Sequence, residues 1–403
     1  PVTVRKTFSF IERKLQQPSE TESICLYLLK KNHRNIIATL VQCCSNIFYR
    51  PLRREKYNNN KTMKKNLIVA AVMACVAMSA MAQDVDLTPK IGGTIRSKYE
   101  YQTEEGEGRF EVRNARINIT GKVTPIVSYK AEIDLCDEGA IKMLDAYTRI
   151  KPATGWQFTI GQMRVPFTID AHRSPHLQYF ANRSFIAKQV GNVRDVGAEI
   201  GWKVNIGVPL TLQAGIFNGS GLTNQKDFWT KNVNFSAKGQ LMLPWGTNIV
   251  LSAQKVKPGD VDIMMYDAGV NFHRKRFVAE AEYLYKHYSD DAFDAVHAFD
   301  GFVCYDIPFR RGPFSKMSAL ARYDFMSDHS DGIRYLDGKA DANGALKVTD
   351  YKRSRVTGGI TLSFAKPFVS DIRINYEKYF YAKGSIPKVS ERDKIVIEVM
   401  THF

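Results

Sequence analysis

The last ten residues, 394–403, read KIVIEVMTHF. Ile395, Ile397, Val399, Thr401 and Phe403 fall on one face of an extended chain, and Lys394, Glu398 and Met400 on the other, with Val396 as the exception. Successive side chains of a strand point to opposite sides, so this is one apolar face and one polar face. A transmembrane barrel strand reads this way because one face meets lipid and the other a wet lumen. A strand that ends on Phe also has the form of the signal read by the outer-membrane barrel-assembly machinery. Any edge strand alternates too, so recurrence is the test.

The pattern recurs. Val127, Tyr129, Ala131, Ile133 and Leu135 oppose Ser128, Lys130, Glu132 and Asp134, and Val196, Ala198, Ile200, Trp202 and Val204 oppose Asp195, Glu199 and Lys203. Runs of this kind fall at 89–101, 109–123, 126–137, 140–152, 154–164, 193–205, 208–217, 230–243, 246–256, 262–273, 276–288, 296–308, 315–327, 349–364, 368–381 and 392–403. The fold class expected is therefore all-β, a transmembrane antiparallel β-barrel of about 16 strands, an even number as closed bacterial barrels have. The connections support it independently. Even-numbered ones are tight, such as TP at 124–125 and PWG at 244–246, while 102–108, 165–192, 218–229, 328–348 and 382–391 are long and fall on odd positions. A soluble sandwich has no reason to sort its loops, whereas a barrel has two different ends, and its closure pairs every backbone group in lipid.

Upstream stands MKKNLIVAAVMACVAMSAMAQ, residues 63–83. A basic start, an apolar run and Ala80-Met81-Ala82 make 63–82 a signal peptide, with the mature chain from Gln83. The run is short for a transmembrane helix, and lipoprotein cleavage before Cys75 would leave a very short apolar core. Residues 1–62 precede the first methionine, Met63, and have no sustained period; they are expected to be an untranslated, disordered extension, leaving 83–403 as the barrel. The first 82 residues carry fourteen lysines and arginines against four acids, so removing them lowers the net charge from +16 to about +6. Nucleic acid as a partner loses its main support with them. Cys136 and Cys304 are too few for a disulfide framework.

From Phe110 to about Leu243 the chain resembles the phosphate-selective porin O and P family. The resemblance rests on RNARINITGKVTP (113–125), SYKAEIDL (128–135), DAYTRIKP (145–152), GQMRVPF (161–167), RDVGAEIGW (194–202) and GIFNGSG (215–221). It implies a 16-stranded outer-membrane porin, a homotrimer, passing small anions. Thr168 departs from the pattern, which leads one to expect Gly after PF.

The long connection 165–192 is the third on its side, the one that folds into the channel of general porins and constricts it. Arg173, Arg183 and Lys188, with His172 and His176, stand there against Asp170 alone, and Arg164 and Arg194 flank it. Cations at a narrow point stabilise an anion that is shedding water, and Arg can grip a phosphate with two hydrogen bonds. In the plainer reading the same residues are solvated loop. Pro166 and Pro175 rule out continued strand pairing. Faces assigned by alternation give a basic sector, Arg96, Lys98, Arg116, Lys122, Arg353 and Arg355, and an acidic one, Asp267, Glu280, Glu282, Asp300 and Asp306. Two opposed charged walls would make a transverse field, and no arginine ladder stands out. Register slips near Arg113 and Gly161 would flip some of these assignments.

The chain is thus expected to be an outer-membrane porin for passive diffusion of small anionic, phosphate-like solutes, embedded in outer-membrane lipid. It needs no cofactor: the eight histidines lack metal-ligand spacing, and no nucleophile motif is present. The rival readings are a substrate-specific channel for oligosaccharides or organic acids, an outer-membrane enzyme such as a phospholipase, and a non-conducting structural or adhesin barrel.

Overall fold

The computed structural model describes residues 86–403 apart from 138, 190–193, 223–224, 368, 383–384 and 386. The expected extension, 1–62, and signal peptide, 63–82, lie outside the described residues. The barrel strands are β1 (Lys90–Gln102), β2 (Glu107–Lys122), β3 (Val127–Asp137), β4 (Ala140–Ile150), β5 (Trp156–Arg164), β6 (Arg194–Asn205), β7 (Pro209–Phe217) and β8 (Asn234–Leu243). They continue as β9 (Thr247–Val256), β10 (Ile263–Arg274), β11 (Phe277–Tyr288), β12 (Val296–Pro308), β13 (Phe314–Met326), β14 (Arg353–Phe364), β15 (Val369–Tyr381) and β16 (Lys394–His402). Each pairs antiparallel with its sequence neighbours, and β16 pairs back onto β1, so the sixteen strands close. Gly93 and Phe403 complete the seam, exchanging backbone bonds of 2.9 and 3.1 Å. Closure leaves no unpaired edge to face lipid.

Alternation decides which way the wall faces. In β16, Ile395, Ile397 and Val399 are exposed on the outside, while Lys394, Val396, Glu398 and Met400 are buried inside. The turns after β2, β4, β6, β8, β10, β12 and β14 take two to five residues, and every long connection lies at the opposite end. Second in length to the connection after β5, the one between β13 and β14 carries a small three-stranded sheet, Arg334–Leu336, Lys339–Ala340 and Ala345–Leu346, that alternation did not reveal.

The interior departs from a uniformly polar lumen. Toward the long-loop end, Val256, Ile263, Met265, Leu284, Val296, Ala298 and Met326 form one apolar cluster with Phe167, Phe185 and Ile186 of the segment after β5. These inward positions are apolar because they meet a folded segment rather than water.

Two bulges re-aim side chains on the wall. Arg96 pairs with Asn114 and Ser97 with Val112, leaving Arg113 as the extra residue of β2. Glu132 pairs with Asp145 and Ile133 with Met143, so Leu144 is extra in β4 and turns inward. Gln162 closes that second irregularity, donating from Nε2 to the Met143 and Leu144 carbonyls at 2.6 and 2.9 Å. Bulges bend a strand and let two successive residues serve one face. Opposite this irregularity Gly161 has φ +127°, and a Cβ there would lie 2.2 Å from the Ala146 carbonyl oxygen. No L side chain fits that space without moving backbone. Gly161→Ala is expected to destabilise the barrel by about 1–3 kcal/mol, the cost of a forced backbone conformation. Urea unfolding followed by tryptophan fluorescence reads it, and an unchanged midpoint would contradict the packing described.

Candidate pore and anion site

The segment after β5 runs inside the barrel, and its backbone is satisfied by wall side chains. Such pairing is obligatory for a non-strand segment removed from water. Along the way Ser236 Oγ donates to the Pro166 carbonyl (2.8 Å), Thr168 N donates to Ser252 Oγ (3.1 Å), and Ile169 N donates to Glu282 (2.5 Å). Ala181 N donates to Asn375 Oδ1 (2.9 Å), Asn182 to Glu377 (3.0 Å), and Phe185 N to Asp324 (3.3 Å). Arginines take the carbonyls: Arg96 that of Ala181 (2.6 Å), Arg322 that of Asn182 (3.0 Å), Arg355 that of Arg183 (2.8 Å). Thr168 sits at φ +55°, the left-handed region where Gly is at home, at a cost of about 1–2 kcal/mol. Its N–H bond to Ser252 and its carbonyl bond from Lys238 (2.5 Å) hold it there.

These contacts assign the acidic sector a different task from the one alternation implied. Glu280, Glu282 and Asp300 are buried to within 4% of full burial, beneath the segment. Glu282 binds the Ile169 and Asp170 amides, and Glu280 pairs with Arg173 at 2.6 Å. They are the segment's socket rather than one wall of a transverse field. Asp306 is engaged with Lys316 (3.0 Å) and Ser318 (2.6 Å).

Water reaches the other wall. The side chains of Arg113, Arg116 and Lys130 on β2 and β3 are 30%, 12% and 23% exposed, against 0–3% for Arg322, Asp324 and Arg355 on β13 and β14. The more open part of the interior is therefore a crescent between the segment and β2–β3. Within it lies a cavity of about 60 Å³ lined by Arg96, Arg113, Asn114, Arg116, Gln178 and Arg183. That volume holds a few waters or one small anion.

The charge balance of the crescent follows from who pairs with whom. Arg96 is paired with Glu398 (2.5 Å), and Arg116 with Asp134 (2.9 Å). Arg183, by contrast, donates to the carbonyls of Asp170 and Arg173, the latter at 2.7 Å, and Arg164 donates to that of His172 at 2.8 Å. Among the described residues neither has a carboxylate within ion-pair distance. A guanidinium is charged at any working pH, so each of the two carries a positive charge that no contact ion pair meets. His172 adds none, because burial, and then Lys238 and Arg164 nearby, push its imidazole well below its ordinary value.

Of the residues singled out by sequence, Arg96, Arg116 and Arg183 meet around the cavity. Arg164 lies on the same side, and Arg194 is tied to Asp145 (2.7 Å) and Glu132 (3.4 Å). The others stand apart. Arg173 is held against Glu280, Arg355 pairs with Asp324 (3.0 Å) and Glu377 (3.4 Å), and Arg353 pairs with Asp350 (3.4 Å) and Glu391 (3.6 Å). Lys188 reaches Glu391 at 2.7 Å, and Lys122 is exposed at the short-turn mouth. Arg113 was not among the candidates. Only the bulge turns it inward, and a register slip near it was the one signal in the sequence.

Residues 90–243 match the family model of phosphate-selective porin O and P. No curated protein matches the chain. Among solved structures, the trimer form of the outer-membrane protein OmpT of Vibrio cholerae is similar at 12% identity and TM-score 0.53, over 78% of this chain and 99% of that one. The outer-membrane channel DcaP of Acinetobacter baumannii aligns at 13% identity and TM-score 0.51, over 78% and 97%. An anion-selective porin from Comamonas acidovorans aligns at 11% identity and TM-score 0.52, over 78% and 99%. At these identities the likeness is one of fold. With the porin family match and the apolar outer belt, it makes the protein a β-barrel channel of the bacterial outer membrane.

Proposed function

We propose that this outer-membrane barrel, whose residues 90–243 match the phosphate-selective porin O and P family, passes small anions by passive diffusion along the crescent beside β2 and β3. One observation carries the reading: Arg164 and Arg183 are fixed by backbone carbonyls instead of carboxylates, so the crescent keeps two guanidiniums without a contact ion pair. In a water-poor passage such charges replace part of an anion's hydration and repel cations. Arg116, whose Nη1 has no hydrogen-bond partner, offers a donor to the 60 Å³ cavity, which Arg96 and Arg113 also line and which fits a phosphate-like solute in size. The family match and a trimeric neighbour favour assembly as a homotrimer. Nothing in the crescent calls for catalysis.

Vesicles carrying the purified protein are expected to take up small anions faster than cations of matching size. Replacing Arg164 and Arg183 together with Gln is expected to bring the two rates together. Equal rates in the unaltered protein would instead leave an unselective channel. The second reading, a non-conducting barrel, is favoured by the apolar cluster around Phe185 and Ile186, and predicts no uptake of either.

A further inference from the structure

Asp170 is the one carboxylate in a segment otherwise cationic, and simple electrostatics makes it a detriment to anion passage. Its surroundings point the other way. One carboxylate oxygen, Oδ2, accepts from both the amide (3.0 Å) and the hydroxyl (3.1 Å) of Ser184, and Oδ1 accepts from Arg173 Nη1 at 3.1 Å. Its carbonyl oxygen accepts from Arg183 Nη1, and Arg183 Nη2 bonds the Arg173 carbonyl. Asp170 therefore joins the two ends of the stretch 170–184 into a closed clasp. Ser184 Oγ in turn accepts the Ala187 amide (3.2 Å) and starts the helical turn Phe185–Gln189. Asp170 is itself 6% exposed and Ser184 fully buried, so water cannot substitute for these bonds.

We propose that Asp170 is a positioning residue for anion selectivity: by clasping Ser184 and Arg173 it aims the Arg183 guanidinium into the arginine-lined cavity. With an amide in place of the carboxylate one oxygen can still accept from Ser184, but the other position becomes a donor facing Arg173 Nη1, so the bond tying down the stretch 170–173, whose two carbonyls grip Arg183, is lost. The guanidinium is then free to turn toward Glu or Asp side chains of the wall and be neutralised. The clasp rests on the anion-channel reading above and deepens it.

The two accounts of Asp170 differ in sign, which makes the test sharp. Asp170→Asn adds a positive charge to the passage. If the residue acts only through its charge, the anion-to-cation permeability ratio rises; if it positions Arg183, the ratio falls toward that of Arg183→Gln. Bilayer recordings of the protein under a salt gradient read this ratio. The clasp predicts that Asp170→Asn and Arg183→Gln each lower it and that the double variant is no lower than Arg183→Gln alone, the non-additivity of residues acting as a unit. Ser184→Ala, which removes one clasp bond and keeps the amide bond, is expected to lower it less and serves if Asp170→Asn fails to fold. A ratio unchanged or raised in Asp170→Asn, or in Ser184→Ala where that one is used, overturns the proposal. A wild-type channel without anion preference overturns the anion reading and the clasp with it, and is recognised before any substitution is made.

Discussion

Asp324→Ala is expected to destabilise the barrel by about 3–5 kcal/mol, the range for removing one partner of a buried ion pair. Asp324 is fully buried on β13, with Arg322 at 2.9 Å and Arg355 at 3.0 Å, and it also accepts the Phe185 amide at 3.3 Å. Alanine leaves both guanidiniums short of a counter-charge where little water reaches. Arg322 would retain only Asp300 at 3.9 Å among its carboxylates, and Arg355 only Glu377 at 3.4 Å. It also removes the anchor of the turn Phe185–Gln189, so conductance is expected to rise as stability falls. Urea unfolding of the folded barrel gives the first, single-channel recording the second. A stability change under about 1 kcal/mol, the value for an exposed pair, would mean that water fills this side of the lumen.

The second large effect lies on the other face of the wall. Ile397→Arg on β16 is expected to cost about 2–4 kcal/mol, and Thr401→Arg, four residues nearer the mouth, about 0–1 kcal/mol. Both positions point outward, and they differ in depth. A charge at the centre of hydrocarbon must be dehydrated, while one near the interface can extend its guanidinium to water. Folding into lipid vesicles with urea titration reads both. Equal small costs would place the face of Ile395, Ile397 and Val399 in water.

The fold was legible because a barrel strand declares its faces every second residue. Alternation of the kind seen in β3, β6 and β16, repeated along the chain, gives the strand number, and the lengths of the connections, read separately, sort the two ends. The interior was less legible. Alternation says that Glu280, Glu282 and Asp300 point inward, but not that a folded segment lies over them, so an acidic wall and an acidic socket read the same. Val396 was the exception in the strand pattern, Met400 is a second apolar residue on the same inward face, and the structure places both fully buried. Arg113 reaches the cavity only through a bulge, an insertion in register with no residue signature of its own. Thr168 shows the reverse case. Its departure from glycine was visible in sequence, and the structure gives it the left-handed backbone that glycine would adopt more easily.

The most direct test of the account is the zero-current potential of the wild-type channel in a planar bilayer under a potassium chloride gradient. Positive charge at Arg164 and Arg183, without a contact ion pair at either, predicts a potential of the sign set by chloride, diminished by added phosphate as it occupies the arginine-lined cavity. A potential at zero or of the sign set by potassium, with conductance indifferent to phosphate, would contradict it.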